Sequence, residues 1–170
     1  VGRLRKLFGT RRIGHTGTLD PLATGLMAVL LGQATRLAPF ITATRKAYTA
    51  TVRLGVTTDT YDAEGQITSE ADNSAIERLD RQSVLSQLEH FRGQITQRPP
   101  AFSAIKVDGE RLYARARRGE EVVVPERDVE VFALVLERFS SPELELSIEC
   151  SKGTYIRSVA HDLGQRLEVG

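Results

Sequence analysis

The chain has 170 residues, 26% charged and 41% hydrophobic, with a formal net charge of +1. That composition fits one globular domain with a real core and excludes collagenous, low-complexity and disulfide-rich classes. A single cysteine, Cys150, rules out an intrachain disulfide and points to a reducing, cytoplasmic setting. The longest apolar run, "LMAVLL", falls far short of the roughly 20 residues that span a bilayer. No signal peptide opens the chain, which starts without an initiator Met and stops abruptly at "EVG", as an excised piece does.

The small net charge hides an asymmetry. Residues 1–58 hold nine Lys or Arg and one carboxylate, Asp20, whereas residues 59–89 hold eight carboxylates against Arg78 and Arg81. A second basic run follows, with Lys106, Arg111, Arg115, Arg117 and Arg118. Such unevenness predicts either a face for a polyanion or pairing between the basic and acidic stretches.

In chain order, "RLRKLFG" predicts the end of a helix stopped at Gly9. The turn-rich "GHTGTLDPLATG" follows, then "LMAVLLG" as a buried strand and "ATRLAPFITATR" as a short helix interrupted by Pro39. "KAYTATVRLG" alternates as a strand, and "TTDTYDAEGQI" predicts a turn into another. Apolar spacing in "DRQSVLSQLEHF" predicts a helix ended by Gly93. "SAIKV", "DG" and "ERLYARARRG" read as strand, turn and helix, stopped at Gly119. "EVVV", "DVEVFALVLERF" and "ELELSIEC" predict strands, and "TYIRSVAHDLGQRL" a closing helix after the Gly153 turn. Strands outnumber helices and follow one another directly, so the expected class is α+β with a mixed, mostly antiparallel sheet.

The glycine-rich loop lacks the Lys-Ser/Thr pair of a phosphate loop. Placing Gly65 at the invariant glycine of a calcium loop puts Thr60 and Ala71 at the outer ligand positions, so calcium fails. His15, His90 and His161 lack zinc spacing, and no metal is expected. His90, near a helix end, reads as a surface residue. Asp20 has two readings. Asp before Pro makes a good helix cap with Pro21 at the first helical position. Capping does not explain why the only acid of a basic third lies in a tight loop, which is the setting of a catalytic carboxylate.

Tyr48 lies on a predicted strand among Arg45, Lys46 and Arg53, either as an ordinary strand tyrosine or as a stacking surface for a base. "SKGTYIRS" sets Lys152, Tyr155 and Arg157 between a strand and a helix start, where anions bind readily. Arg157 equally suits a carboxylate partner.

Four ordered stretches carry a more specific signal: "GHTGTLDPLATGLMAVLLGQATRL", "KAYTATVRLGVTTDTYDAEG", "PPAFSAIKVDGERLYARARRG" and "CSKGTYIRSVAHDLGQRL". Together they resemble the bacterial TruB family of tRNA pseudouridine synthases over nearly the whole chain. The resemblance implies a pseudouridine synthase fold with flanking helices and a central active-site cleft, spanning residues 1–170. It implies isomerisation of uridine 55 in the tRNA T stem-loop, with no metal or organic cofactor, by a cytoplasmic monomer that meets no membrane. Asp20 falls on the family's catalytic aspartate, Tyr48 on its stacking tyrosine and Arg157 on its motif arginine. His15 falls on its base-contacting histidine and Tyr155 on a further substrate-contacting tyrosine; Lys152 joins them as a substrate-binding cation. Arg157 is then expected to keep Asp20 charged. The Lys-Pro-x-Gly strand that usually begins the family and its C-terminal RNA-binding region are absent from this sequence. Two rivals remain: a non-catalytic RNA-binding module of the same fold, and a glycosidase needing two paired acids. Asp59 and Asp62 offer that second acid, but "DTYDAEG" reads better as turn chemistry.

Overall fold

A computed structural model describes residues 1–42, 44–103, 105–107, 109–120 and 122–170, without the side chains of Lys106, Val107, Arg111 and Arg117. It divides into two compact units, residues 1–44 and 45–170.

The first unit begins with helix α1 (Gly2–Leu7), which Gly9 ends with a φ of +58°. Glycine accepts that left-handed turn without the penalty a Cβ imposes. Strand β1 (Ile13–His15) then pairs antiparallel with β2 (Val29–Leu31), matching Ile13 to Leu31 and His15 to Val29. A 3₁₀ turn (Gly32–Leu37) and the short helix α2 (Ala38–Ile41) complete the unit.

The second unit is built on a four-stranded antiparallel sheet in the order β3-β10-β9-β6. Strand β3 (Arg45–Arg53) leads to a two-stranded ribbon of β4 (Val56–Thr58) and β5 (Ile67–Glu70). Helices α3 (Asn73–Glu77) and α4 (Arg81–Leu88) follow, then a 3₁₀ turn and the edge strand β6 (Gly93–Gln97). A small hairpin of β7 (Lys106–Val107) and β8 (Glu110–Arg111) runs into α5 (Leu112–Arg117). The long hairpin of β9 (Arg127–Ser140) and β10 (Glu143–Ser151) forms the sheet's centre, and α6 (Ile156–Arg166) closes the chain.

Alternation along β10 shows why one face is the core. Leu144, Leu146, Ile148 and Cys150 are at most 2% exposed. They pack with Val52, Val84, Leu88, Phe91, Val159 and Leu163, so α4 and α6 cover this face. Each such side chain contributes about 1.5–3 kcal/mol by leaving water. The opposite face carries ion pairs such as Arg45–Glu149 and Arg138–Glu145, as expected of an antiparallel sheet with one solvated side.

The α+β class expected from the sequence is the one observed, and every described strand pairing is antiparallel. Four local expectations are corrected. The run "LMAVLLG" yields strand only at Val29–Leu31, because pairing with β1 reaches no further, and Leu26 is fully exposed. Pro39 does not interrupt a helix; it lies in the first turn of α2, where its missing N–H costs nothing. Residues 122–126 of the "EVVV" region form no strand, and Glu121 lies outside the described residues. No helix begins at Pro21, so Asp20 is not a helix cap. Ala43, Ala104 and Asp108, which fall within other expected elements, also lie outside the described residues. His90 is exposed, as expected.

Candidate active site

The Asp20 loop is an excursion from the β1–β2 ribbon. Its neck is extended by the Thr16 N–H, which donates to the Ala28 carbonyl at 3.2 Å. Beyond it the chain uses turns in place of regular structure. Ala23 N–H donates to the Asp20 carbonyl at 2.9 Å, closing a four-residue turn with Pro21 at its second position. Proline's fixed φ suits that corner, so the Asp-Pro pair is explained by a turn and not by a helix cap. Asp20 is half-buried. His15, the last residue of β1, uses Nδ1 to donate to the Gly17 carbonyl, fixing the loop's entry. Three cations, Arg5, Lys6 and Arg11, line an open groove elsewhere in this unit.

In the second unit, Tyr48 sits in β3 opposite Ile148 of β10. It shares its strand face with buried Val52 and packs against the core cluster, so its ring is supported from beneath. The same β10 continues through Ser151, Lys152 and the Gly153 turn (φ +87°) into α6. That short connection carries Lys152 and Tyr155, and the first turn of α6 carries Arg157. Lys152 is exposed, whereas Tyr155 and Arg157 are half-buried.

Gln97 fixes the start of α6. It is 1% exposed, and its side-chain amide both donates to the Tyr155 carbonyl and accepts from the Tyr155 N–H, at 3.3 and 3.1 Å. The bond from the Tyr155 N–H satisfies a donor that a helix start leaves open, while the Tyr155 carbonyl accepts from Gln97 as well as from the Val159 N–H. Ser158, fully buried, donates to the Arg98 carbonyl at 2.8 Å and ties the next turn down. The Arg127 guanidinium lies 5.6 Å from the Tyr155 ring centroid, within cation–π range.

Arg157 is held by the "DTYD" turn. Its Nη1 donates to the Thr60 carbonyl at 2.8 Å and to Asp62 Oδ2 at 3.1 Å; Nη2 reaches the Phe102 carbonyl at 3.4 Å. The two charged side chains are only 14% and 10% exposed. Asp62 Oδ1 accepts from Thr60 Oγ1 at 2.7 Å and from the Glu64 N–H at 3.1 Å. Asp59 likewise accepts from the Gln66 N–H at 2.8 Å. Both acids are therefore committed to the turn, as the sequence led us to expect, and the glycosidase reading loses its second acid. The long-range partner of Asp62 was not foreseen.

The expected residues thus occupy two settings: His15 and Asp20 in the first unit, Tyr48, Lys152, Tyr155 and Arg157 in the second. Sequence reasoning missed Asp62 and Gln97. Asp62 was read only as turn chemistry, with no local sign of its long-range partner; Gln97, in "GQITQR", carried no signal either.

Residues 5–156 match the model of a family described as TruB family pseudouridylate synthase (N terminal domain). The chain belongs to this family. Among curated relatives, it is 49% identical to tRNA pseudouridine synthase B of Leifsonia xyli subsp. xyli, aligned over 100% of this chain and 58% of that protein. It is 47% identical to the protein of the same name from Syntrophotalea carbinolica, over 100% of this chain and 55% of the relative. It is 44% identical to that of Opitutus terrae, over 100% of this chain and 69% of the relative. The chain thus spans little more than half the length of the first two. Among solved structures, a chain in the crystal structure of a Cbf5-Nop10-Gar1 complex superposes with a TM-score of 0.69 at 25% identity, covering 99% of this chain and 40% of that one. A chain in an H/ACA RNP bound to a substrate RNA containing 2'-deoxyuridine gives 0.66 at 21% identity, covering 99% and 38%, and supports the fold. Among the described residues, no group of three or more His, Cys, Asp or Glu side chains could hold a metal ion, and no helix is long and apolar enough to cross a membrane.

Proposed function

We propose that this TruB-family chain carries the catalytic centre of a tRNA pseudouridine synthase that isomerises uridine 55 of the T stem-loop. The observation that carries the reading is family membership joined to a lone acid, Asp20, in a tight loop of a strongly basic unit. The relatives' name, tRNA pseudouridine synthase B, supplies the substrate class.

The reaction breaks the N1–C1′ glycosidic bond of uridine, turns the base and rejoins it through C5. A uridine stacked in RNA is out of reach of a loop carboxylate, so the base must leave its stack, at about a few kcal/mol. Tyr48, braced on the core, receives the flipped base by stacking, and its hydroxyl assists removal of the C5 proton, passing its own proton on as it accepts that one. His15 and Tyr155 contact the substrate, and exposed Lys152 meets its phosphates. Asp20 is the nucleophile, at the ribose C1′ or the uracil C6, or the stabiliser of a glycal route. Arg157, its guanidinium oriented by Asp62, serves the reaction as the family's motif arginine.

The test is mass spectrometry of a T-arm RNA after incubation with the chain, with cyanoethylation to mark pseudouridine. The expected result is one cyanoethylated site at the position of uridine 55. RNA binding without any marked product would favour the non-catalytic module.

A further inference from the structure

Tyr61 combines two features that nothing above uses. Its φ is +61°, one of two left-handed non-glycine residues in the described chain. Bulky residues hold that conformation only where their surroundings impose it. The imposing contact is visible: its ring stacks on the imidazole of His161, with centroids 3.8 Å apart and planes 6° from parallel.

The position of this stack gives it a use. Tyr61 lies between Thr60 and Asp62, the two residues whose carbonyl and carboxylate bond Arg157 Nη1. On α6, His161 follows Arg157 by four residues, one helical turn along the same face. Turn and helix therefore meet at two adjacent points, ring on ring and carboxylate on guanidinium. Within the turn, Tyr61 N–H donates to the Thr58 carbonyl at 3.2 Å and Thr58 Oγ1 donates to the Asp62 carbonyl at 2.8 Å. Those local bonds shape the turn, but they do not fasten it to α6.

We propose that the Tyr61–His161 stack is a positioning device for Arg157, pinning the 58–62 turn on α6 so that Thr60 and Asp62 hold the guanidinium in one orientation. The proposal rests on the reading that Arg157 serves pseudouridine formation. Neither ring touches substrate; both act through Asp62. Without the stack, the left-handed residue loses what holds it, and both partners of Nη1 shift with the turn.

Glycine adopts a φ of +61° freely, so Tyr61→Gly removes the ring while leaving the turn able to form. His161→Leu keeps bulk without a planar ring; Tyr61→Phe and His161→Phe keep the stack. In single-turnover reactions on T-arm RNA, Tyr61→Gly and His161→Leu should slow the chemical step about 10- to 100-fold, the scale of a misplaced catalytic group. RNA affinity should stay within about 2-fold, and both Phe variants should retain near wild-type rates. On an Asp62→Asn background, Tyr61→Gly should add little, because the two changes act along one path. Wild-type rates in Tyr61→Gly and His161→Leu, or a full additional loss on the Asp62→Asn background, would overturn the proposal. If the wild-type chain forms no pseudouridine, the reaction assignment fails, and the clamp is then read by ¹⁵N-arginine NMR. A slowly exchanging Arg157 guanidinium should become solvent-like in Tyr61→Gly; an unchanged signal there overturns the clamp as well.

Discussion

At Asp20 a backbone turn and the proposed nucleophile fall on one residue, and one substitution separates them. The backbone carbonyl closes the turn to Ala23, and the Asn side chain suits the same corner. Asp20→Asn should therefore leave thermal stability and RNA affinity nearly unchanged while lowering single-turnover pseudouridine formation by at least about 10³-fold, as loss of a nucleophile does. Turnover within tenfold of wild type would end the nucleophile assignment. Arg157 needs a different control. Its pair with Asp62 is nearly buried, and removing one partner of such a pair strands the other's charge, costing about 3–5 kcal/mol. A slow Arg157→Met enzyme is informative only alongside its unfolding midpoint, and Arg157→Lys, which keeps charge but loses the planar fork, is the cleaner variant.

Among the elements, α6 carries a titrating contact with a definite sign. Burial holds the His161 imidazole below its ordinary range, with the Asp162 charge opposing; burial pushes the Asp162 carboxyl up, against the charges of His161, Arg166 and Arg98. A depressed histidine pKa means that the unfolded chain takes up the proton first. Stability linked to His161 is thus complete above the unfolded value and lost as pH falls through it towards the folded one. Asp162 works the other way at lower pH, gaining stability on acidification above the unfolded carboxylate value. The interval from pH 7.5 to 5.5 spans the ordinary histidine value and stays above the ordinary carboxylate one. His161→Phe should therefore lose less thermal stability than wild type over that interval, as followed by unfolding midpoints at the two pH values. Equal losses in the two proteins would show that the stack does not feel the imidazole's charge.

The same scale shows what one sequence makes legible. Strands β9 and β10 could be read because alternation reports a half-buried sheet, and α6 because its apolar residues recur at helical spacing. β6 could not, since "GQITQ" places a single apolar residue, Ile95, on a polar edge strand. "EVVV" erred oppositely: β-branched residues favour strands only where a neighbour pairs with them, and Val123 is exposed. Asp20, Tyr48 and Arg157 were singled out through motif resemblance. The Asp62–Arg157 pair, 95 residues apart in sequence, was not, because a turn acid looks the same locally whether or not a distant helix presents a guanidinium to it.

Across the whole molecule, the charge asymmetry that first pointed to a polyanion is partly neutralised in one place. In the second basic run, Arg118 pairs with Glu110 at 2.7 Å and Glu120 at 2.6 Å, and Arg115 pairs with Glu120 at 3.0 Å. Glu110 lies within the run and Glu120 just after it, both outside the 59–89 acidic stretch. Both glutamates are held below the usual carboxylate range by their hydrogen bonds from Arg118, with Arg115 adding to the effect on Glu120. An RNA phosphate must compete with them for the same donors. Removing the competitor's charge should then help binding: Glu120→Gln should tighten T-arm RNA affinity at low salt and steepen its salt dependence. Each cation newly released to a phosphate adds about 0.7–0.9 to the slope of log affinity against log salt, so releasing Arg115 and relieving Arg118 of one of its two glutamates adds less than about 2. Arg118→Ala placed on Glu120→Gln should take back one cation's share. Titrations of labelled T-arm RNA at several salt concentrations measure the slopes directly. Identical slopes for wild type and Glu120→Gln would mean that this segment faces away from the RNA, and the cations of residues 1–58 would then account for the phosphate contacts.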